Sequence, residues 1–164
     1  MRTHRTPRPL AVFDLDGTLA DTRHRLPFLD RRPRDWAAFF AAAPQDPPLP
    51  RGVELVLAGT EEYETVYLTG RPEQCRRDTL DWLARHGLPD GRLLMRRGQD
   101  RRPARVTKPE MLRQLARGRD VALVVDDDRL VCEAFRAAGF RVVHADWADA
   151  EPLLEQAQEE QGRT

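Results

Sequence analysis

The chain is most unusual in what it lacks. Its 164 residues include no serine, no asparagine and no isoleucine, and a single lysine, Lys108, stands against 26 arginines. Without serine, hydrolysis through a seryl nucleophile is excluded. There is no Gly-Lys pair, so the chain has no Walker-type phosphate loop and is not a kinase of that class. The two cysteines, Cys75 and Cys132, form neither a disulfide framework nor a CxxC metal pair, which fits the reducing cytoplasm.

Long apolar segments are also missing. No run approaches the roughly 20 residues that a membrane helix needs, so we expect no membrane attachment. Length and composition favour one domain over residues 1–164, with loose ends at about 1–8 and 160–164. Formal charge is balanced but unevenly placed, with six arginines and one acid between positions 92 and 105. A basic segment on a neutral protein favours an anion-binding site, although a solvated arginine-rich surface is the plainer alternative.

Five short apolar runs predict the fold. They lack polar alternation, which is typical of strands buried on both faces of a parallel sheet. The runs lie at 10–13, 65–68, 92–95, 121–125 and 141–143, and helical segments lie between them at 52–62, 73–86, 109–117 and 129–138. This alternation predicts an α/β, three-layer Rossmann-like domain with a mainly parallel, five-stranded sheet. The first connection is too long for one helix, and we interpret residues 20–50 as a small helical insert.

The residues that follow the predicted strands point to a chemical site. Ligands of such sheets bind at the carboxyl ends of the strands. There the chain carries Asp14, Asp16 and Gly17, then Thr69, Gly70 and Arg71, and finally Asp126, Asp127 and Asp128, with Lys108 on the helix that leads into the fourth strand. Without Asp128, which also suits a helix cap, four carboxylates remain; they cannot share a small site without a cation, and hard oxygen ligands suit Mg²⁺.

Each of these motifs alone has a purely structural interpretation. The first is a glycine turn with solvated acids, the second a turn before a helix, and the third a helix N-cap cluster in which Asp128 is the capping residue. Their joint occurrence after three strands is much harder to explain by chance. Lys108 adds to the pattern. A chain that otherwise uses arginine is expected to keep lysine where the site needs a compact ammonium group. The alternative is that this lysine has no function and lies on a helix surface by chance.

The four motifs resemble those of the haloacid dehalogenase superfamily of phosphatases. They are Phe13-Asp14-Leu15-Asp16-Gly17-Thr18-Leu19, Leu68-Thr69-Gly70-Arg71, Lys108, and Val125-Asp126-Asp127. Within that superfamily, the spacing of Leu94-Met95-Arg96, Asp100, Arg102-Pro103 and Val106-Thr107-Lys108 is most similar to the phosphatase domain of polynucleotide kinase-phosphatase. Two departures are Ala104, where we expect an acidic residue, and the missing kinase half.

The resemblance implies roles for these residues. Asp14 is the expected nucleophile, and Asp16 is the expected general acid and base, whose carbonyl also binds the metal. Gly17 lets backbone N–H groups face the phosphate, while Thr69 and Lys108 contact the phosphoryl group. The expected Mg²⁺ ligands are Asp14, Asp16 and Asp127, with Asp126 acting indirectly, although the sequence does not rank Asp126 and Asp127. Gly70, Arg71 and Arg96 complete the expected substrate-binding set, the two arginines as phosphate ligands.

Three functions remain open from the sequence. The first is a Mg²⁺-dependent phosphatase that removes terminal 3′-phosphates from nucleic acid, working beside a separate kinase or ligase. The second is a phosphatase of a mononucleotide or another small phosphorylated metabolite. The third is a noncatalytic phosphate-binding module, which has no need for a second aspartate at position 16. The sequence does not predict an oligomeric state.

Overall fold

A five-stranded parallel sheet forms the centre of the molecule. The computed structural model describes residues 6–149 and 151–164. The strand order is β3-β2-β1-β4-β5, and every neighbouring pair is parallel. The strands are β1 (Leu10–Phe13), β2 (Glu64–Pro72), β3 (Arg92–Arg96), β4 (Val121–Asp126) and β5 (Val142–His144). The predicted α/β sheet is confirmed, and each of the five apolar runs overlaps a strand.

Helices cover both faces of this sheet. Within the described residues they are α1 (Trp36–Ala41), α2 (Pro50–Ala58), α3 (Arg76–Arg85), α4 (Ala104–Ala116), α5 (Arg129–Ala137) and α6 (Pro152–Gln161). Leu10 and Val12 of β1 belong to one core cluster, with residues of α4 and α5. Ala11 and Phe13 belong to the other, with residues of the insert and α3. Because both faces are covered, β1 needs apolar side chains at every position.

The helical insert predicted after the first strand is present. It contains a 3₁₀ turn at Arg23–Phe28, then α1, then a second 3₁₀ turn at Ala43–Gln45. Three aromatic side chains of α1, Trp36, Phe39 and Phe40, pack against one another with ring centroids 5.6–5.8 Å apart. All three are buried in the core cluster, as the sequence suggested. The insert is thereby fixed to the body of the domain beside the carboxyl edge of the sheet.

Helix α4 begins earlier than predicted. The sequence placed its start at Pro109, because proline usually occupies a first helical turn. The helix starts at Ala104 instead, after Pro103, and Pro109 lies inside it. Pro109 lacks the N–H group that would bond the carbonyl one turn earlier, so the helix loses one hydrogen bond. The earlier start puts Lys108 in the second turn of α4, where its side chain is buried.

The carboxyl end of the chain is packed rather than loose. Helix α6 extends to Gln161, and Thr164 is only 2% exposed. The carbonyl of Thr164 accepts a hydrogen bond from Arg96, so the expected loose end at 160–164 is wrong at this residue. At the other end, residues 1–5 lie outside the described residues. No helix in the described part is long and apolar enough to cross a bilayer.

Candidate active site

Lys108 joins the ends of two strands at the carboxyl edge of the sheet. Asp14 follows β1 directly, and Asp126 is the last residue of β4. The Lys108 Nζ donates to Asp14 Oδ1 at 2.8 Å and to Asp126 Oδ2 at 2.6 Å. Burial alone would lower the pKa of Lys108, but the two carboxylates outweigh it and the net shift is upward. The only lysine of the chain is therefore a charged, buried bridge between two acids.

Three carboxylates crowd around this lysine. One oxygen from each of Asp14, Asp126 and Asp127 lies within 4.8 Å of the others. Burial, with a further contribution from Asp14, raises the pKa of Asp126 to about 7 against the pull of Lys108. Burial, Asp14 and Asp126 raise the pKa of Asp127 well above its ordinary value. One ammonium group leaves this cluster short of positive charge, and its hard oxygen donors fit Mg²⁺.

Asp126 and Asp127 differ in their partners. Asp126 uses one oxygen for Lys108 and the other for the N–H group of Asp128. Among the described residues, Asp127 has no salt bridge. Asp127 thus has fewer charged partners than Asp126, although its side chain also forms a hydrogen bond with Asp14, and its choice as the direct metal ligand stays a prediction. Asp128 accepts from the N–H groups of Leu130 and Val131, so it is the N-cap of α5, as the structural interpretation held.

Gly17 allows Asp127 to approach the first motif. Its φ of 82° lies in the left-handed region, and a Cβ atom at this position would overlap the Asp127 carboxylate. The N–H group of Gly17 itself donates to the Ala20 carbonyl, and the expectation that other N–H groups of this turn face a phosphate stays a prediction. The neighbouring Thr18 hydroxyl donates to Asp14 Oδ2 at 3.1 Å. Asp14 is thus held by a hydrogen bond at each carboxylate oxygen.

Asp16 lies in an environment rich in arginine. Its Oδ1 accepts from Arg25 Nη2 at 2.8 Å and from Arg71 Nη2 at 2.6 Å. Burial would raise the pKa of Asp16, but Arg71 and Arg25 outweigh it and hold the pKa well below its ordinary value. Arg71 was expected to bind a phosphate. In the structure its guanidinium group is occupied by Asp16, Asp46 and the Thr79 hydroxyl.

Asp46 holds the same two arginines from the other side. Its carboxylate accepts from Arg25 Nε at 2.9 Å, from Arg25 Nη2 at 2.7 Å and from Arg71 Nη2 at 3.2 Å. The sequence analysis did not single out Arg25 or Asp46. Arg25 is one of 26 arginines, and Asp46 lies in a proline-rich turn of the kind that usually carries exposed acids. No local pattern distinguishes them, because their contacts form only when the insert folds onto the sheet edge.

Thr69 and Arg96 are also engaged with the backbone. The Thr69 hydroxyl accepts from the Arg71 N–H group at 3.1 Å, and the residue is buried. Arg96 donates to the carbonyls of Gly70 and Arg102 at 3.1 and 2.6 Å. Burial lowers the pKa of Arg96 to about 10. Arg96 therefore ties the loop after β3 to the end of β2, rather than presenting a free guanidinium to a phosphate as expected.

A basic groove runs along α4 and β3, the outermost strand on one side of the sheet. Its volume is about 430 Å³, and its lining includes Leu94, Met95, Met111, Arg92, Arg97 and Arg119. Some of its arginines are already neutralised: Arg102 pairs with Asp100 and Glu110, and Arg119 with Glu64. Within the described residues, Arg92 and Arg97 have no acidic partner. The groove thus has two arginine side chains without an acidic partner, Arg92 and Arg97, beside its apolar lining residues.

Similar solved structures share this fold. One match is to a chain in the "Structure of the Pnkp1/Rnl/Hen1 RNA repair complex". The match covers 89% of this chain and 45% of that chain, with 24% identity and a TM-score of 0.74. A haloacid dehalogenase-like hydrolase, SP0104 from Streptococcus pneumoniae, matches over 95% of this chain and 93% of its own, with 14% identity and a TM-score of 0.64.

A third structure extends the comparison to a ligand-bound relative. It is a haloacid dehalogenase family enzyme from Bacteroides thetaiotaomicron in complex with magnesium and inorganic phosphate. The match covers 88% of this chain and 96% of that one, with 11% identity and a TM-score of 0.54. No curated protein matches the chain.

The family itself is defined by sequence. The model of the polynucleotide kinase PNKP phosphatase domain matches residues 9–149. The match includes all five strands, the insert and every residue of the two aspartate environments described above. Because the chain spans about half the length of the first repair-complex protein it matches, it corresponds to one part of that larger protein. The chain belongs to the family of PNKP phosphatase domains of the haloacid dehalogenase superfamily.

Proposed function

We propose that the chain is a Mg²⁺-dependent phosphomonoesterase that acts through an aspartyl-phosphate intermediate and removes terminal 3′-phosphates from nucleic acid. The observation that carries the proposal is the buried cluster of Asp14, Asp126 and Asp127 around Lys108. A phosphate monoester is an anion, so an anionic nucleophile needs positive charge close to it. Mg²⁺ bound by Asp14, Asp127 and the Asp16 carbonyl supplies that charge, with Asp126 acting indirectly.

Asp14 is the nucleophile in this mechanism. One of its oxygens forms a bond to phosphorus while the bond between phosphorus and the ester oxygen breaks. The ammonium of Lys108 and the hydroxyl of Thr18 orient the two Asp14 oxygens before attack. Lys108 also neutralises charge that the phosphoryl oxygens carry as they approach. Thr69 contributes its hydroxyl to the phosphoryl group, as the resemblance implies.

Asp16 transfers the protons. It gives a proton to the leaving alkoxide and later takes one from the water that cleaves the acyl phosphate. Since Arg25 and Arg71 keep Asp16 ionised, the arrangement seen in the structure suits the second step. The first step requires Asp16 to turn away from the two guanidinium groups and take up a proton. Arg71 and Arg25 therefore set the protonation state of Asp16 in the cycle.

Three observations support a nucleic-acid substrate. The chain belongs to the PNKP phosphatase-domain family, and a repair complex is among its structural neighbours. The basic groove lies along β3 and α4, and its Arg92 and Arg97 suit backbone phosphates. Such an enzyme prepares ends for a kinase or ligase, which acts as a separate partner in this proposal. Binding through the groove should weaken as salt concentration rises.

The first experiment is phosphate release from a 3′-phosphorylated oligonucleotide with Mg²⁺, beside a 5′-phosphorylated oligonucleotide and a panel of mononucleotides. Asp14→Asn removes the nucleophile, and we expect it to lose at least about 1,000-fold in kcat, because covalent catalysis through Asp14 is then abolished. Asp30→Asn, at an exposed position, is the control. Preference for the 3′-phosphorylated oligonucleotide supports end repair, whereas more than a few per cent activity in Asp14→Asn contradicts the mechanism.

A phosphatase of small metabolites is the second candidate. A cavity of about 100 Å³ lies beside Gly17 and is lined by Thr22, Leu49 and Trp147. Its size suits a small group better than a polymer. Turnover of mononucleotides alone, without salt dependence, would favour this function. A noncatalytic module is disfavoured, because phosphate binding gives no reason to hold Asp16 between two buried arginines.

A further inference from the structure

Helix α6 and the residues after it cross the carboxyl edge of the sheet. At the start of this segment, Leu154 packs in the same core cluster as Ala145, which follows β5. At its end, Thr164 lies against Gly70, which belongs to β2. In the sheet order, β1 lies between β2 and the pair formed by β4 and β5. The segment 152–164 therefore passes over the end of β1, where Asp14 is located.

The segment is anchored on both sides of the site. Toward the insert, Glu160 pairs with Arg34 at 2.7 Å, and the Gln161 side chain accepts from Trp36 Nε1 at 2.6 Å. Toward α4, Glu159 pairs with Arg105 at 2.7 Å. This last pair is largely exposed, and exposed ion pairs contribute little to stability. At the start of the segment, Leu154 and Ala157 are buried in the core cluster, whereas the anchors from Glu159 to Gln161 are polar. Local detachment is therefore favoured at the carboxyl end of the segment, and release of the whole of α6 also exposes the two buried side chains.

The residues after α6 fit closely against the catalytic loops. Gly162 has a φ of 56°, and a Cβ atom at this position would overlap the carbonyls of Arg101 and Arg102. At Gly70, a Cβ atom would overlap the backbone of Thr164. Only glycine allows this approach at either position. The tail therefore occupies the space between the loop after β2 and the loop after β3.

With this segment in place, the catalytic groups are covered. Five side chains of the proposed mechanism, Asp14, Asp16, Thr69, Lys108 and Asp126, are between 1% and 6% exposed, while the metal ligand Asp127 is half-buried. A phosphate at the end of a polymer cannot reach Asp14 while the residues around it are closed from solvent to this degree. The structure is therefore that of a closed state.

One buried side chain, Arg34, is not fully hydrogen-bonded in the closed state. The Arg34 side chain is only 4% exposed, and its buried Nε and Nη2 atoms have no hydrogen-bond partner among residues 6–149 and 151–164. A buried N–H group without a partner costs free energy that solvent would return on opening. In addition, the family match ends at residue 149, before α6 begins at Pro152. The segment 152–164 therefore lies outside the residues that the family model matches.

We propose that residues 152–164 form a lid, which must leave the carboxyl edge before a terminal phosphate reaches Asp14. The proposal rests on the proposed phosphatase function for its physiological meaning. Closure protects the aspartyl-phosphate from premature entry of other molecules, and opening admits the nucleic-acid end. Because only the open form binds substrate, the apparent affinity falls by the fraction of molecules that are open.

Gly162→Val tests the lid without altering a catalytic residue. The new side chain overlaps the backbone at Arg101 and Arg102, so the tail leaves its seat. If about one molecule in ten is open in the native protein, kcat/KM for the 3′-phosphorylated oligonucleotide should rise up to about tenfold. Gly98→Val is the matched control, since a Cβ atom at Gly98 meets nothing within 4 Å and its φ is not left-handed. Unchanged or lower kcat/KM in a folded Gly162→Val variant would overturn the proposal.

A cross-link tests the opposite state. In Arg34→Cys/Glu160→Cys, a short bismaleimide links α6 to the insert, and we expect loss of at least about 90% of activity, because the open state is removed. The uncross-linked double variant should keep its activity. Arg129→Cys/Glu133→Cys, at an exposed pair within α5, receives the same reagent as the control. Full activity in the cross-linked lid variant would contradict the requirement for opening.

Two readouts separate the lid from the choice of substrate. p-Nitrophenyl phosphate is used in parallel, so a protein that hydrolyses it but no oligonucleotide refutes the substrate proposal and still reports on the lid. Hydrogen exchange needs no activity at all. Amides of α6 should exchange at least about tenfold faster than those of α4 and α5, because they open locally. Exchange of α6 only together with α4 and α5, through global unfolding, would overturn the lid even if the protein proves inactive.

Discussion

Two carboxylates that stand two residues apart in the chain lie in opposite electrostatic environments. Asp14 shares its surroundings with two further aspartates and a single lysine. Asp16 faces two arginines, which a second acid, Asp46, holds from behind. The first environment raises the pKa values of Asp126 and Asp127, and the second lowers the pKa of Asp16. Because β1 ends between the two clusters, one short strand supplies both groups.

The difference assigns different work to the two aspartates. A cluster with excess negative charge binds a cation and, through it, an anionic substrate. The charge of Asp16 is neutralised by two arginines, so this carboxylate needs no metal ion. It is available for proton transfer once it moves away from the two guanidinium groups. Pairs of titratable groups whose environments push their pKa values apart are the usual mark of divided acid–base roles. The predictions below each remove one element of this contrast.

Lys108→Arg changes the shape of the cation in the first cluster and leaves its charge. The planar guanidinium cannot occupy the place of a compact ammonium between Asp14 and Asp126, so the nucleophile is displaced. We expect kcat to fall by at least about 100-fold, comparable to the loss of one transition-state donor. Steady-state kinetics with p-nitrophenyl phosphate and the 3′-phosphorylated oligonucleotide measure the effect. Near-native turnover would mean that charge alone is needed here and that the single lysine is a coincidence.

Asp46→Asn unbalances the second cluster. It leaves two buried arginines facing one carboxylate, and removing one partner of a buried ionic network costs about 3 kcal/mol. We expect the free energy of unfolding to fall by about this amount in urea titrations. The control is Asp21→Asn, which removes an exposed pair with Arg23 and should cost less than about 1 kcal/mol. Equal losses in the two variants would show that Asp46 is not part of a buried network.

The sequence predicts the first cluster far better than the second. Asp14, Asp126 and Asp127 follow strands whose apolar runs are easy to identify, so the parallel sheet itself brings them together. Lys108 is conspicuous because the chain has no other lysine. The fold follows for the same reason, since a strand buried on both faces has a clear local pattern. Where local pattern and tertiary contact agree, prediction from sequence succeeds.

The second cluster depends on contacts that no local pattern encodes. Arg25 and Asp46 lie in an irregular insert, 21 residues apart in the chain, and meet only after the insert has folded. The start of α4 was wrong because Pro109, inside the helix, imitates a first-turn proline. The buried position of Thr164 could not be predicted from the sequence, because it depends on contacts with Gly70 and Arg96, which are distant in the chain. Tertiary packing decides all three cases.

The contrast between the clusters also gives a dependence of stability on pH. For Asp126, burial raises the pKa to about 7 from an unfolded value of 3.8, so between these values the folded state binds the extra proton. Stability therefore falls as pH rises from 5.5 to 8 in EDTA, by about 2 kcal/mol for Asp126 at about 1.4 kcal/mol per pKa unit. Asp127, whose pKa is also raised, adds to the fall in the same direction. The low pKa of Asp16 contributes only below about 4. His86, whose pKa is lowered by burial and Arg85, gives a small opposite trend near pH 6.

Mg²⁺ should reverse this dependence, because it binds the deprotonated carboxylates in competition with protons. Thermal unfolding at pH 5.5 and 8, with EDTA or with excess Mg²⁺, measures both effects, and Mg²⁺ should raise the Tm more at pH 8 than at pH 5.5. Asp126→Asn/Asp127→Asn retains His86 and cannot gain these protons. It should lose both the decline in EDTA and the response to Mg²⁺. A native protein whose stability in EDTA rises toward pH 8 would show that the cluster around Asp14 is not short of positive charge.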